Sequence, residues 1–210
     1  MPNGVVSFER CVQRKMGNET IWPDFDTTRE NIAEVHILGS GIIEREGAKY
    51  VQADFANKFI GGGVLGWGCV QEEIRFLICP EFIVSMLFME GMNDDECIVI
   101  TGGEMFSKYA GYGDTYKFNG NHVDMTNRDC LKRRMTQLVA MDAVPYMNNK
   151  RVQYEARNID RDLKKAYISF ISTNSKATIA TGNWGCGAFC GDPELKVKNR
   201  QFDLAPIGKI

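Results

Sequence analysis

The chain has 210 residues, 44% hydrophobic and 25% charged, with a net charge of −2. This is the balance of an ordinary globular protein, with length enough for one domain and a real core, or one domain plus an appendage. It gives no electrostatic basis for nucleic acid or an anionic membrane as partner, so any bound anion has to be held by local geometry.

In chain order, "GVVSFER" reads as a short strand, and "AEVHILGSGIIE" and "AKYVQADFANKFI" as two β-rich runs about the turn "REG". A glycine loop follows. "QEEIRFLI" starts a helix with acids in its first turn, where the helix dipole favours them. Pro80 ends that helix and opens another, "PEFIVSMLFMEG", at its N1 position. "ECIVITGG" has the compact apolar pattern of a strand buried on both faces. "KYAGYGDTYKF" reads as a hairpin or ordered loop, "NGNHVDMTNRD" as loop, and "RMTQLVAMDAV" as a strand, with helix as the alternative. "DRDLKKAYISFIS" predicts an amphipathic helix with Leu163, Ala166, Tyr167, Phe170 and Ile171 on one stripe. "ATIATGNWGCGAFCGDPEL" predicts a strand, a second glycine-rich loop and a helix capped by Asp192 with Pro193 behind it. Beyond Leu195 no period is visible.

No apolar run approaches the roughly 18 residues that span a bilayer, and the N-terminus "MPNGVVSFER" lacks the pattern of a secretory signal. Seven cysteines, an odd number scattered singly, favour reduced thiols in the cytosol or nucleus over a disulfide framework. Cys186 and Cys190 lie closer together, but the two histidines, His36 and His122, are distant from them in sequence. The ligand set therefore argues against zinc, and the same spacing argues against a thiol or serine triad.

Two strands each end in a glycine-rich loop that feeds a helix. Such loops sit at the carboxyl ends of strands in α/β sheets, where ligands bind. Backbone N–H groups turned inward, with a helix N-terminus behind them, can hold a diphosphate even in a chain of negative net charge. Glu72 and Glu73 lie about 100° apart on the helix and so cannot share one direction, but they can touch two parts of one ligand lying across the helix start. Cleaving a glycosidic bond needs a carboxylic acid to protonate the leaving oxygen and stabilisation of an oxocarbenium-like transition state. The helix dipole opposes a protonated acid there, so burial and neighbouring negative charge have to offset it. Taken singly, "QEE", "GGG", "DFAN", Tyr112 and Phe189 each also fit ordinary structural roles: acids of a first turn, a loose turn, a strand end, packed aromatics.

Together, "ADFANKF", "GGGV" and "CVQEEIRF" resemble the catalytic segment of the poly(ADP-ribose) glycohydrolase family, whose hallmark is a glycine triplet followed by glutamine and two glutamates. "ITGGEMFSKYAGYGDTYKF" and "ATGNWGCGAFCGD" resemble its next two blocks, in the same order. The resemblance implies an α/β macrodomain, a mixed sheet sandwiched between helices, over residues 1–196, with 197–210 a divergent tail. It implies hydrolysis of the ribose–ribose O-glycosidic bond of poly(ADP-ribose), with ADP-ribose released. It also implies ADP-ribosylated proteins as partners, a nuclear or cytoplasmic setting in the DNA damage response, no cofactor, no metal, no direct nucleic acid and no membrane. By resemblance, Glu73 is the acid that protonates the leaving ribose oxygen, Glu72 holds the terminal ribose with Asn57, and Asp54 supports the site. Gly61, Gly62 and Gly63 form the diphosphate loop, and Gln71 stands with the substrate-binding residues. Tyr112 lies beside the adenine, and Asn183 and Phe189 belong to the second ligand loop, Phe189 bordering the diphosphate and distal ribose.

The sequence departs from the family's pattern at Trp67, where a small residue is usual, and at Cys190, where glycine is usual. Little chain precedes the first strand, and a further strand with an adenine-stacking aromatic is not visible after "CGD", so the domain is expected to be shortened at both ends. Three functions follow as alternatives: an active glycohydrolase, an ADP-ribose-binding macrodomain without turnover, or a weakly folded regulatory isoform.

Overall fold

The computed structural model describes residues 4–17, 19–22, 35–173 and 177–196. A five-stranded mixed sheet is built from β1 (Ser7–Val12), β4 (Val51–Asp54), β5 (Glu96–Thr101), β8 (Gln137–Ala140) and β9 (Ile179–Ala180), in the order β1-β5-β8-β4-β9. β1 and β5 are antiparallel, as are β5 and β8, whereas β8, β4 and β9 run parallel. Two small antiparallel ribbons accompany it: β2 (Lys15–Met16) with β3 (Glu19–Thr20), and β6 (Ser107–Ala110) with β7 (Lys117–Asn121).

Strand alternation divides the core between the two faces. Ile98 and Ile100 of β5 and Leu138 and Ala140 of β8 pack with Phe76 and Ile78 of α2 (Gln71–Ile78) and with Phe82. Cys97, Val99 and Val139 face the other way with Val51, onto Ile168 of α3 (Ala156–Ile171). The sheet is thus covered on both sides, as the unbroken apolar runs of β5 and β8 require.

The helix opened by Pro80 is a 3₁₀ segment, Pro80–Leu87, with the i→i+3 bond Phe82 N–H to Cys79 O at 2.9 Å. The run "AEVHILGSGIIE" holds no strand in its described part. Residues 35–42 are irregular and lead into the single turn α1 (Ile43–Glu46), while Ala33 and Glu34 lie outside the described residues. The tail 197–210, and with it the expected domain boundary, also lies outside them. Asp192 caps the last helical turn as expected, its Oδ1 accepting from Leu195 N–H at 2.8 Å.

α3 forms where its periodicity places it, but its face is rotated. Ala166 and Phe170 are buried, Leu163 and Tyr167 are half-buried, and Ile171 lies at the exposed margin. Asp162, Lys165 and Ser169 hold the inward positions instead. Each charge has partners. Lys165 Nζ meets Asp142 Oδ1 at 2.8 Å and donates to the carbonyls of Asn93 and Glu96, Arg161 bonds Asp142 Oδ2 at 2.6 Å, and Lys196 pairs with Asp162. Lys196 also lies over the Trp184 ring, 4.5 Å from its centroid, and Trp184 Nε1 donates to Met141 O at 2.8 Å. This ladder fastens the second glycine loop to α3 and to the end of β8.

Removing one partner of a buried pair strands the other charge. Lys196→Met is expected to lower unfolding stability by about 3–5 kcal/mol, read from urea midpoints. The double replacement Lys196→Met with Asp162→Leu should lose much less.

Candidate functional site

The parallel arrangement of β4, β8 and β9 brings the loops after all three to one edge of the sheet. There a cleft of about 590 Å³ is lined by Asn57–Phe59, Asp142–Pro145 and Phe189, with Arg157, Asn158 and Arg161 from the first turns of α3. Three adjacent strand ends, one helix start and a cleft are the arrangement in which α/β sheets hold ligands.

The glycine loop is built around the two glutamates. Glu72 Oε1 accepts from Gly61 N–H at 2.6 Å and its Oε2 from Asn57 N–H at 2.8 Å. Glu73 Oε1 accepts from Gly63 N–H at 2.9 Å, and its Oε2 accepts from Val70 N–H at 3.0 Å. The second of these is the N3 half of a capping box, since Val70 has no side-chain acceptor to return the bond. Gly62 N–H closes a turn onto Phe59 O at 3.2 Å. The amides of Gly61, Gly62 and Gly63, expected to cradle a diphosphate, are therefore engaged within the protein. The physical reason is that buried carboxylates need donors, and the nearest are these amides. Glycine is required at position 62 for two reasons. Its φ is +49°, and a Cβ there would stand 2.4 Å from Glu73 Oε1 and 2.7 Å from Glu72 Oε2.

Gln71 is a strap rather than an open side chain. Its Oε1 accepts from Phe55 N–H at 2.8 Å and its Nε2 donates to Ala53 O at 3.2 Å, tying the start of α2 to the end of β4. Asp54 lies on the α2 side of the sheet, fully buried, and neither carboxyl oxygen has a hydrogen-bond partner among the described residues. Burial pushes its carboxyl up to about 8, with Arg75 opposing and Glu73 adding. Burial, then the charge of Asp54, also raises Glu72 well above the usual carboxylate range, against the pull of the Asn57 and Gly61 amides.

Tyr112 stands at the same helix start. Burial raises its phenol, the Gln71 N–H bonded to it opposes this, and Glu73 adds to the rise. The Gly113 N–H, next to it, donates to Cys69 O at 2.9 Å, so the β6–β7 hairpin docks on the glycine loop. Trp67 resolves the question its bulk raises by pointing outward, fully exposed. Asp54, Asn57, Gly61–Gly63, Gln71, Glu72, Glu73 and Tyr112 are thus gathered around the first turn of α2. Asn57 also lines the cleft, as does Phe189. Asn183 is exposed on the second loop and does not line the cleft, and neither does Glu73.

The sequence reading missed Arg157, Asn158 and Arg161 at the cleft wall. Their signal was the start of α3, which adds partial positive charge to the same edge. In the second loop, also expected from the sequence to hold a diphosphate, backbone donors remain open. The N–H groups of Gly187, Ala188 and Phe189 meet no acceptor among the described residues. Among the described residues, no cluster of three or more His, Cys, Asp or Glu is placed to hold a metal ion, and no helix is long and apolar enough to cross a membrane.

A mixed sheet between helices, with its loops gathered at the carboxyl ends of the parallel strands, defines a macrodomain-like α/β protein. A family model described as poly (ADP-ribose) glycohydrolase (PARG), Macro domain fold, matches residues 22–198. The chain belongs to that family. It is similar to poly(ADP-ribose) glycohydrolase 1 of Caenorhabditis elegans, 43% identical over 209 residues that cover 93% of this chain and 26% of that protein. It is likewise similar to poly(ADP-ribose) glycohydrolase 1 of Arabidopsis thaliana, 33% identical over 266 residues, covering 93% of this chain and 47% of that one. The chain therefore spans between about a quarter and a half of the length of these relatives. Among solved structures, poly(ADP-ribose) glycohydrolase from Thermomonospora curvata aligns over 73% of this chain and 56% of its own, at 17% identity and a TM-score of 0.44.

Two outcomes follow from the geometry. Gly62→Ala should destabilise the protein by about 1–3 kcal/mol through its left-handed backbone alone, and by more in total than Gly113→Ala. Gly113 has a φ of +56° and open space where its Cβ would lie, so urea titration of the two variants separates backbone strain from the clash with the carboxylates. Asp54 has a folded pKa raised above its unfolded value, so folding takes up a proton between about pH 4 and 8. Its contribution is most favourable below the unfolded pKa and declines as pH rises through the folded one. Asp54→Asn should melt higher than wild type at pH 8.5 and close to it at pH 4, as read by scanning calorimetry.

Proposed function

We propose that the chain hydrolyses the ribose–ribose O-glycosidic bond of poly(ADP-ribose) and releases ADP-ribose. The observation that carries this reading is the pair of carboxylates in the first turn of α2, held at the carboxyl end of β4 by a glycine loop, in a member of this family. Glu73 serves as general acid and gives its proton to the leaving ribose oxygen as the bond to the anomeric carbon breaks. Water then adds to the oxocarbenium-like centre and its proton returns to Glu73. Glu72 holds the terminal ribose together with Asn57, and Asp54, kept neutral by burial, limits the negative charge packed beneath them. The second loop, with the N–H groups of Gly187, Ala188 and Phe189 and the ring of Phe189, takes the diphosphate and distal ribose. Gly61–Gly63 shape the loop over the carboxylates, Gln71 supports it, Tyr112 lies beside the adenine, and Asn183 belongs to the second loop's ligand contacts. The site lies within residues 1–196, with ADP-ribosylated proteins as the source of polymer in nucleus or cytoplasm and in the DNA damage response.

A second reading, binding without turnover, draws support from one observation. The cleft is lined by Asn57 and Phe189, while the Glu73 carboxyl is engaged by its own loop. Chromatography of poly(ADP-ribose) treated with the purified chain distinguishes the two. Turnover is expected from wild type, and Glu73→Gln should lower it by about 10²–10⁴-fold while ADP-ribose still raises the melting temperature. A calorimetric binding isotherm with no ADP-ribose released by wild type assigns the chain to the second reading. Glu73→Gln with wild-type turnover removes Glu73 as the acid.

A further inference from the structure

The antiparallel pairing of β1 with β5 sets Cys11 directly opposite Cys97. Two residues further along, Gln13 N–H donates to Asp95 O at 2.9 Å. The alternation of the ladder therefore makes Cys11–Cys97 a hydrogen-bonded pair as well, with Cα atoms about 5.5 Å apart, near the middle of the range that a disulfide spans. Opposed residues point to one face, and both side chains join the same cluster. Cys97 is fully buried among Val51, Val99, Val139 and Ile168, and Cys11 packs against that cluster at the sheet edge, partly exposed. The Cys97 thiol donates to Ile168 O at 3.8 Å, and each thiol perturbs the other's titration, as does Ser172, the residue that ends α3.

We propose that Cys11 and Cys97 form a redox site that a hydroperoxide converts to an intrachain disulfide. Cys11 is the attacking thiol because solvent reaches it, and Cys97 is the resolving thiol because it sits behind. The neighbouring Cys97 thiol lowers the Cys11 thiol to about 6, against burial, while Cys11 in turn raises Cys97. Glu9 raises Cys11, and Lys165 lowers Cys97. The Cys11 thiolate attacks the peroxide oxygen, the O–O bond breaks, and the departing alkoxide or hydroxide takes up the proton that Cys11 lost. The Cys97 sulfur then displaces hydroxide from the Cys11 sulfenic acid, and that hydroxide leaves as water with the Cys97 proton. In sum, two thiols and one hydroperoxide give a disulfide, one alcohol (water, when the oxidant is hydrogen peroxide) and one water. The ring so closed runs from residue 11 to residue 97 and contains β4, the glycine loop and α2. Oxidation would tie the edge strand covalently to the sheet that carries the candidate site. This inference does not depend on the proposed hydrolysis.

The test treats the reduced full chain with hydrogen peroxide and maps its peptides without reduction. A Cys11–Cys97 linkage is expected, with Cys79 unmodified and the melting temperature raised by roughly 5–15 °C until dithiothreitol reverses both changes. In Cys97→Ser the reaction should stop at a Cys11 sulfenic acid that dimedone traps. Oxidation of Cys130 or Cys190 with Cys11 and Cys97 still reduced overturns the proposal. So does progression of Cys11 to a sulfinic acid in wild type with no linkage formed. Both of these outcomes are read on the unmutated chain, so neither depends on a variant folding.

Discussion

The structure turns on a grip between two consecutive carboxylates and the backbone that precedes them. The carboxyl groups of Glu72 and Glu73 both come close to Gly62, yet each bonds a separate pair of amides in the 57–70 loop. A hydrogen bond contributes about 0.5–1.5 kcal/mol net, so four of them together hold the loop against the helix. The helix start suits the arrangement because its dipole favours negative charge there. Glycine at position 62 is a consequence of the same grip, since no side chain fits between the loop and the two carboxyl groups. The glycine triplet and the paired acids are therefore one device in two pieces.

Much of the fold was readable because strands buried on both faces leave unbroken apolar runs. "ECIVIT" and "QLVA" are β5 and β8, "VQAD" forms the strand that ends at Asp54, and the aromatic-turn pattern of "KYAGYGDTYKF" is the β6–β7 hairpin. The face of α3 was not readable, for a definite reason. Hydropathy treats Asp162 and Lys165 as solvent-facing, but Lys196, Asp142 and two backbone carbonyls receive them inside. Those partners lie up to 72 residues away in sequence, so no local period can register them. The segment at 35–42 misled in the opposite way. Ile37 and Leu38 carry strand-like side chains, yet both are largely exposed and no neighbouring strand pairs with them among the described residues.

The candidate site divides along the same line. The order of "DFAN", "GGG" and "QEE" was legible, and these residues do converge on one helix start. What the bare order could not reveal is which groups bond to which. A glycine-rich turn before a helix suggests amides aimed at a ligand. Here two carboxylates arrive in the ligand's place because they follow within a dozen residues, and Gln71 is likewise taken up by β4. In the second loop, where Lys196 and Trp184 fix the backbone, the amides of Gly187, Ala188 and Phe189 have no acceptor among the described residues.

The two halves of the site meet at Asn57. It lines the cleft, its N–H donates to Glu72, and its Oδ1 accepts from Phe59 N–H. The loop from Asn57 to Gly63 is bonded to both glutamates, so it cannot move at one end without straining bonds at the other. Beneath it, Asp54 has no side-chain hydrogen-bond partner among the described residues, and burial pushes its carboxyl up to about 8. A second full negative charge there would repel Glu72 and loosen the same loop. Asp54 and the cleft wall thus share one neighbour, Glu72, whose carboxyl is raised by burial and by Asp54 and lowered by the Asn57 and Gly61 amides.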